Sequence, residues 1–400
     1  MGTQRTGVCA PIGFRATGIA CGLKAKGALD LALVASDRPA VAAGLLTTNL
    51  VCGAPVIVTR RHLASGRARA IVANAGNSNA CTGARGEADA LAMCRAVGDA
   101  LGIPAEEVLV ASTGVIGRPL PVGKVLPGIA RAAAALSPDG NESAARAIMT
   151  TDTLLKEVTA RVDVGGHTVT IGGIAKGAGM IAPKLATMLA FFTTDAEIAA
   201  PVLRQLLVEA AAASFNRVTV DGDTSTSDML LVLANGAAGA GPIEPGTPAY
   251  ESFGAALREA CVDLAKMVAR DGEGATTFVT VHVSGAPSDA DADRAARTVA
   301  ESPLVKTAIF GGDPNWGRIA AALGRSGVAF DPNRLRIWVD DLLLFENGMP
   351  ADFSLRDAER HFREKVLTIR ADLGAGAGAA EVYTCDLSYD YVKINAEYTT

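Results

Sequence analysis

A single threonine, Thr187, stands at the head of an apolar run in the stretch APKLATMLAFFTTD, Ala182 to Asp195. Two readings of its hydroxyl are available. Threonine suits the start of a strand, and in that reading it does no chemistry. In the other reading the hydroxyl is a nucleophile, and the first carbonyl carbon within its reach is that of Ala186 in its own backbone. Attack there, an N→O acyl shift and hydrolysis of the resulting ester would cut the chain before Thr187. The new N-terminal residue would then carry both nucleophile and base, since a free α-amino group titrates near ~7.7–8.0. Gly177 and Gly179 upstream allow the scissile bond to bend, while the strand from Met188 to Phe192 keeps the hydroxyl still. Spacing alone leaves both readings open.

The other constellations carry less. The four histidines, His62, His167, His282 and His361, have no G-x-S-x-G partner, so a histidine-based triad is poorly supported. His282 sits in the alternating run TFVTVHVSG and reads as an ordinary strand residue. The acids Asp221, Asp223 and Asp228 of DGDTSTSD could hold Mg²⁺, but the spacing is not an EF-hand and Asx and Ser/Thr turns explain the composition as well. No metal is expected. GAGAGA, Gly374 to Ala379, formally fits a dinucleotide fingerprint, yet a strand-like EVYTCDL follows it where a helix is required, which predicts a hairpin turn. GGDPNWGR, Gly311 to Arg318, reads as a helix N-terminus capped by Asp313 or Asn315, with Trp316 packing beneath.

Composition narrows the class. The 400 residues are 49% hydrophobic and only 4% aromatic, with 43 glycines, which predicts a folded protein with an aliphatic, alanine-rich core and many tight turns. A net charge of −5 with scattered Lys and Arg argues against nucleic acid as a partner. The seven cysteines lie far apart, without zinc-ligand spacing, and read as reduced, buried thiols of a cytoplasmic protein. The N-terminus lacks an unbroken apolar core of a secretory signal, and no run of ~20 apolar residues could span a bilayer.

The elements that must position these residues alternate between strand and helix. RAIVANAG, EVLVASTG, TVTIGGIAK and MLAFFTTD read as strands. GEADALAMCRAVGDALG, GKVLPGIARAAAAL and EIAAPVLRQLLVEAAAASF read as helices, the first ending at a glycine C-cap. RVTVDGDTSTSDMLLVLANG reads as strand, loop, strand. Phe253, Leu257, Cys261, Leu264 and Val268 have helical spacing, ahead of a turn at Asp271–Gly274 and a strand in TTFVTVHV. The tail from Leu367 reads as strands joined by a glycine-rich turn. The fold class is therefore α/β (α+β), sheets packed against helices, with a central strand starting at Thr187. No repeat, charge block or long linker marks a domain boundary.

Seven motifs in order, ASTGVIGRPLP, AIMTTDT, KGAGMIAPKLATML, DGDTSTSD, DGEGATTF, SPLVKTAIFGGDPNWGR and NAEYTT, closely resemble the ornithine acetyltransferase family of arginine biosynthesis, the self-processing glutamate N-acetyltransferases. The resemblance runs from GFRATGIACGLKAKGALDLAL to the last residue. It implies self-cleavage at Ala186-Thr187, giving an α chain, 1–186, and a β chain, 187–400, whose C-terminal part forms a second lobe. The pieces are expected to stay together, as an α2β2 heterotetramer. Thr187 is implied as the nucleophile that takes acetyl from N2-acetyl-L-ornithine and passes it to L-glutamate through an acetyl-threonine ester, with ping-pong kinetics. The family's oxyanion hole maps to Thr113 and Gly114. Its substrate contacts map to Thr150 (or Thr151 if the register slips by one), Lys176, Thr187, Glu273, Asn395 and Thr400. No cofactor is implied; acetyl-CoA is a co-substrate in those members that also make N-acetylglutamate from it. The rival classes are a self-processing aminopeptidase or amidase, in which water resolves the acyl ester, and a nucleotide- or metal-binding regulatory protein.

Overall fold

In a computed structural model, residues 5–182 and 188–397 are described. They form two compact units: 5–216 with 223–264, and 217–222 with 265–397.

Alternating burial builds the first unit. Its strands are β1 (Phe14–Ile19), β2 (Leu31–Ser36), β3 (Val41–Leu46), β4 (Ala70–Asn77), β5 (Val108–Val115), β6 (Lys156–Val164), β7 (His167–Lys176), β8 (Leu189–Thr194), β9 (Glu197–Ile198), β10 (Met229–Ala234) and β11 (Pro242–Ile243). One sheet has the order β1-β2-β4-β5, and a second has β3-β10-β8-β7-β6. Residues Ile71, Ala73, Leu109 and Ala111 of the first sheet share a core with Leu189, Phe191, Met229 and Leu231 of the second. Their sequence neighbours Ala70, Val72, Val108 and Val110 point the other way, against α2 (Gly83–Leu101) and α3 (Val122–Ala134), after α1 (Ala54–Leu63). Period-two alternation thus splits β4 and β5 between two apolar cores, which is why they read as continuous hydrophobic runs. The parallel pair β4/β5 is joined through α2, whose C-terminus is turned by Gly102 at φ +65°.

The second unit is one sheet under helices. β12 (Phe278–Ala286), β13 (Arg336–Val339), β14 (Leu342–Glu346), β15 (Met349–Pro350), β16 (Val366–Asp372) and β17 (Gly378–Cys385) are ordered β15-β14-β13-β16-β12-β17. Of the remaining helices, α4 (Asn141–Ile148), α5 (Ala200–Ala213) and most of α6 (Pro248–Arg270) belong to the first unit, and α7 (Asp289–Ala300), α8 (Pro303–Gly311), α9 (Trp316–Gly324), α10 (Leu355–Phe362) and α11 (Tyr389–Glu397) to the second. An alanine face on α7 (Ala292, Ala295, Ala296) packs with Val281, Ile369 and Val382 of the sheet. Asn315 caps α9, its side-chain oxygen accepting from the Arg318 N–H at 3.2 Å, and Trp316 stacks on Phe345.

Four sequence expectations need correction. The glycine-rich turn after β16 does not close a hairpin: β16 and β17 lie on opposite sides of β12, so the connection crosses over it. RVTV is not a strand; Val218 makes only an isolated bridge to Tyr383, following a 3-10 turn at Phe215–Arg217. The helix expected from Glu197 begins at Ala200, one residue before Pro201, because Glu197 and Ile198 pair with β11 instead. The tail ends in α11 and not in strands. Of the seven thiols, all free, four are buried (Cys9, Cys94, Cys261, Cys385) and Cys81 is exposed. No helix among the described residues is long and apolar enough to cross a membrane.

Two adjacent glycines inside β7 have separate causes. A Cβ on Gly172 would lie 1.7 Å from the Gly7 carbonyl oxygen, and one on Gly173 would lie 2.6 Å from the Phe192 ring. At Gly172 the obstacle is backbone, which cannot swing away. Gly172→Ala should therefore destabilise the protein by about 1–3 kcal/mol or more, read as a lower urea midpoint.

Candidate active site

β4 and β5 end together in an irregular register. Gly76 stands opposite Gly114, while Asn77 opposes both Thr113 and Val115. Gly114 has φ +123°, and a Cβ there would lie 2.5 Å from the Gly76 carbonyl carbon and 2.7 Å from the Asn77 nitrogen. Conformation and crowding both demand glycine at this position. Behind it a buried amide network holds the turn. Ser112 Oγ donates to Asn74 Oδ1 (2.6 Å), Asn74 Nδ2 to the Asn77 carbonyl (2.8 Å), the Asn79 N–H to Asn77 Oδ1 (2.8 Å), and Ser78 Oγ to the Val115 carbonyl (2.9 Å). Thr113 and Gly114 themselves are only half-buried. A half-buried threonine beside a glycine turn at a strand end suits an oxyanion site. The asparagines were visible in VANAGNSNA, but their composition signals only a loop; their mutual bonding is long-range information.

A second centre is built on Asp152, which the sequence reading did not single out. Its side chain is fully shielded from solvent, as is that of Lys156. Asp152 Oδ1 accepts from Lys156 Nζ (2.8 Å) and the Gly177 N–H (2.6 Å), and Oδ2 accepts from the Thr150 N–H (2.9 Å). Burial, the largest single influence, would raise its pKa. The charges of Lys176 and Lys156 and the hydrogen bonds together outweigh it and hold the carboxyl well below the ordinary carboxylate range. Asp152 thus ties the backbone of Thr150 to the end of β7, where Lys176 lies buried. Lys24 shares this field. Its ammonium donates to the Leu29 carbonyl (2.7 Å), and burial pushes its pKa down to about 8, opposed by Asp30 and Asp152 and reinforced by Lys176.

Thr187 and Ala186 lie outside the described residues, as does Thr400. The flanks are described. Lys176, the last residue of β7, pairs directly with Leu189, the first of β8. Ile181 bridges Thr224, whose hydroxyl donates to the Ala182 carbonyl (2.9 Å), and the Met229 N–H donates to the Met188 carbonyl (2.9 Å).

Glu273 and Asn395 meet within the second unit, though 122 positions apart: Asn395 Nδ2 donates to Glu273 Oε2 at 2.7 Å. Glu273 is buried. The turn it occupies is clasped by α11, with Ser388 Oγ donating to the Gly274 carbonyl (2.6 Å). Gly274, at φ +68°, leaves no room for a Cβ, which would lie 2.5 Å from the Tyr391 nitrogen. Among the described residues no group of three or more His, Cys, Asp or Glu is arranged to hold a metal. His62 Nδ1 bonds the Val108 carbonyl and His361 pairs with Asp340, so both serve the scaffold.

Comparison with known proteins adds identity to this geometry. The ArgJ family model matches residues 15–400. The chain is similar to the arginine biosynthesis bifunctional protein ArgJ of Symbiobacterium thermophilum, 54% identical over 396 residues and 98% of each chain. It is also similar to that of Gloeobacter violaceus, 49% identical over 98% of each. Among solved structures, the arginine biosynthesis bifunctional protein ArgJ of Bacillus halodurans is 43% identical, with a TM-score of 0.52, over 53% of this chain and all of that one.

Removing one partner of a buried pair leaves the other charge uncompensated. Lys156→Met should therefore cost about 3–5 kcal/mol in urea unfolding. The folded pKa of Asp152 lies below its unfolded value of ~3.9, so its stabilising contribution is complete above that value and is lost as pH falls through the folded pKa. The wild-type urea midpoint should accordingly drop on acidification below about pH 4, and more steeply than that of Asp152→Asn.

Proposed function

The chain belongs to the ArgJ family, and from that premise we propose that it is a self-processing acetyltransferase of arginine biosynthesis, an enzyme that moves acetyl from N2-acetyl-L-ornithine to L-glutamate. The observation that carries the proposal is the identity of 54% across 98% of a bifunctional ArgJ protein. In this reading the chain cuts itself at Ala186-Thr187. The Thr187 Oγ then attacks the acetyl carbonyl of N2-acetylornithine, the amine leaves with a proton as ornithine, and an acetyl-threonine ester remains. The α-amino group of glutamate attacks that ester, giving N-acetylglutamate and restoring the hydroxyl.

Parts of the reading away from the cleavage site draw support from the geometry. Thr113 and Gly114, held by the buried amide network, suit the stabilisation of a developing oxyanion. Thr150 and Lys176, joined through Asp152, offer a polar group and a cation for an amino-acid substrate. Glu273 and Asn395, bonded to each other in the second unit, belong to the family's contact set. Thr400 completes the family's contact set. Cleavage at 186 would leave one five-stranded sheet shared by two chains, with β3, β6 and β7 before the bond and β8 and β10 after it. Separating them would expose the core around Phe191 and Leu231, so the pieces should remain associated. An α2β2 assembly, a cytoplasmic location, the absence of a resident cofactor and acetyl-CoA as a second acetyl donor belong to the same proposal.

A denaturing gel tests the cut: the 40.7 kDa chain should run as pieces of about 19 and 22 kDa, in proportion to 186 and 214 of 400 residues. Thr187→Ala should give one uncut, inactive band, and an intact wild type that transfers acetyl groups would sink the mechanism. In the assay, ornithine release from N2-acetylornithine should depend on glutamate; release indifferent to glutamate would identify an amidase. Acetyl-CoA in place of N2-acetylornithine decides between one activity and two. Thr113→Ala should lower kcat by about 10²–10³ with little change in KM.

A further inference from the structure

Lys24 joins the two centres of the first unit, the glycine turn at the end of β4 and β5 and the group around Asp152. It belongs to the turn that follows β1. That turn is wound around the buried carboxylate of Asp30, which accepts the N–H groups of Cys21 (2.6 Å), Gly22 (3.0 Å), Leu23 (2.6 Å) and Lys24 (3.0 Å). The same aspartate anchors the turn to β4, its carbonyl accepting from the Ala75 N–H at 2.9 Å. The backbone of Lys24 is thus held beside the residue that precedes Gly76.

The side chain makes contacts at both its ends. Its stem lies on Gly76: a Cβ there would be 3.4 Å from Lys24 Cγ and 3.4 Å from the Leu23 carbonyl oxygen. Lys24 and Leu23 therefore cover the face of Gly76 to which a side chain would point. Along the ladder the partner of Gly76 is Gly114. Gly76, at φ +98°, has no side chain with which to hold its own place, so its neighbours must hold it. At the other end the ammonium donates to the Leu29 carbonyl (2.7 Å) and the Ala147 carbonyl (3.3 Å). Ala147 lies in the last turn of α4, where carbonyls lack an intrahelical partner and a cation is favoured. Thr150 follows three residues later, with its N–H bound by Asp152. Asp30, Asp152 and Lys176 are within electrostatic reach of the same ammonium.

We propose that Lys24 is a positioning residue for the transfer reaction. Its stem and its ammonium together fix the glycine turn carrying Gly114 relative to the Thr150 end of α4, so that one substrate meets both. The assignment rests on the acetyl-transfer reading given above. Lys24 acts through Gly76 and Ala147 and not on the acetyl group itself. An oxyanion forms both when acetyl is taken up and when it is passed on, so loss of Lys24 should slow both halves of the reaction.

The test measures ornithine release from N2-acetylornithine with glutamate present, for wild type, K24M, K24R, Thr113→Ala and the double variant of K24M with Thr113→Ala. K24M keeps most of the stem and loses the ammonium; its kcat should fall about ten-fold or more, with KM changed by less than about three-fold. K24R keeps a cation for the two carbonyls and should restore most of the rate. Since both side chains act through one turn, the double variant should be no more than about three-fold slower than Thr113→Ala alone. A merely structural lysine would instead lower the urea midpoint and leave the two losses multiplying in full. K24M within about three-fold of wild type, K24R no better than K24M, or full multiplication in the double variant would each overturn the assignment. Where K24M gives no folded protein, K24Q takes its place under the same criteria. A wild type that releases no ornithine sinks the acetyl-transfer reading, whereas an active wild type matched by K24M sinks only the role of Lys24.

Discussion

A charged carboxylate cut off from water must find its solvation in the protein, and Asp152 finds it in three segments at once. Lys156 answers it from the start of β6, Gly177 from the end of β7, and Thr150 from the turn after α4. Each partner satisfies one need of the buried charge and is itself immobilised in return. The backbone of Thr150, the root of the glycine-rich segment and the electrostatic setting of Lys176 therefore depend on one side chain. Loss of that side chain would release them together, which a set of surface ion pairs could not do.

The same lysine then sees a second buried carboxyl, Asp228, under the opposite conditions. Burial there raises the carboxyl pKa well above the ordinary value, where the charges and donors around Asp152 lower it. The two glycine positions of the first unit follow a related logic of constraint. Gly114 accommodates the close run of β5 on β4, and Gly172 the close approach of residue 7 to β7. Neither has a side chain because backbone already fills the space one would take.

Much of the scaffold was legible from pattern. Ile71 and Val72, or Leu109 and Val110, are adjacent and both buried, and a run of such residues bounded by glycine signals a strand covered on both faces. The C-cap at Gly102 and the cap of α9 at Asn315 follow from local chemistry within a few residues, so local reading finds them. The errors arose where pairing partners are remote. GAGAGA looks like a hairpin because the residues on both sides favour strands, but which strand lies between them is decided by β12, some ninety residues earlier in the chain. Glu197 and Ile198 extend a helical pattern, yet pair with β11.

The amino-acid sequence by itself determined the candidate chemistry: a lone threonine behind Ala186, a Thr-Gly strand end, and the ordered motifs that mark the family, all properties of residues close together in the chain. Only the tertiary structure decided what surrounds them. That Asn395 reaches Glu273, that Asp152 is answered by Gly177 and Lys156, and that Asp228 Oδ2 is left without a partner among the described residues are facts of solvent exclusion and three-dimensional pairing. The physical reason is that protonation state and orientation depend on which distant groups replace the water around a side chain, and no local pattern of residues records that.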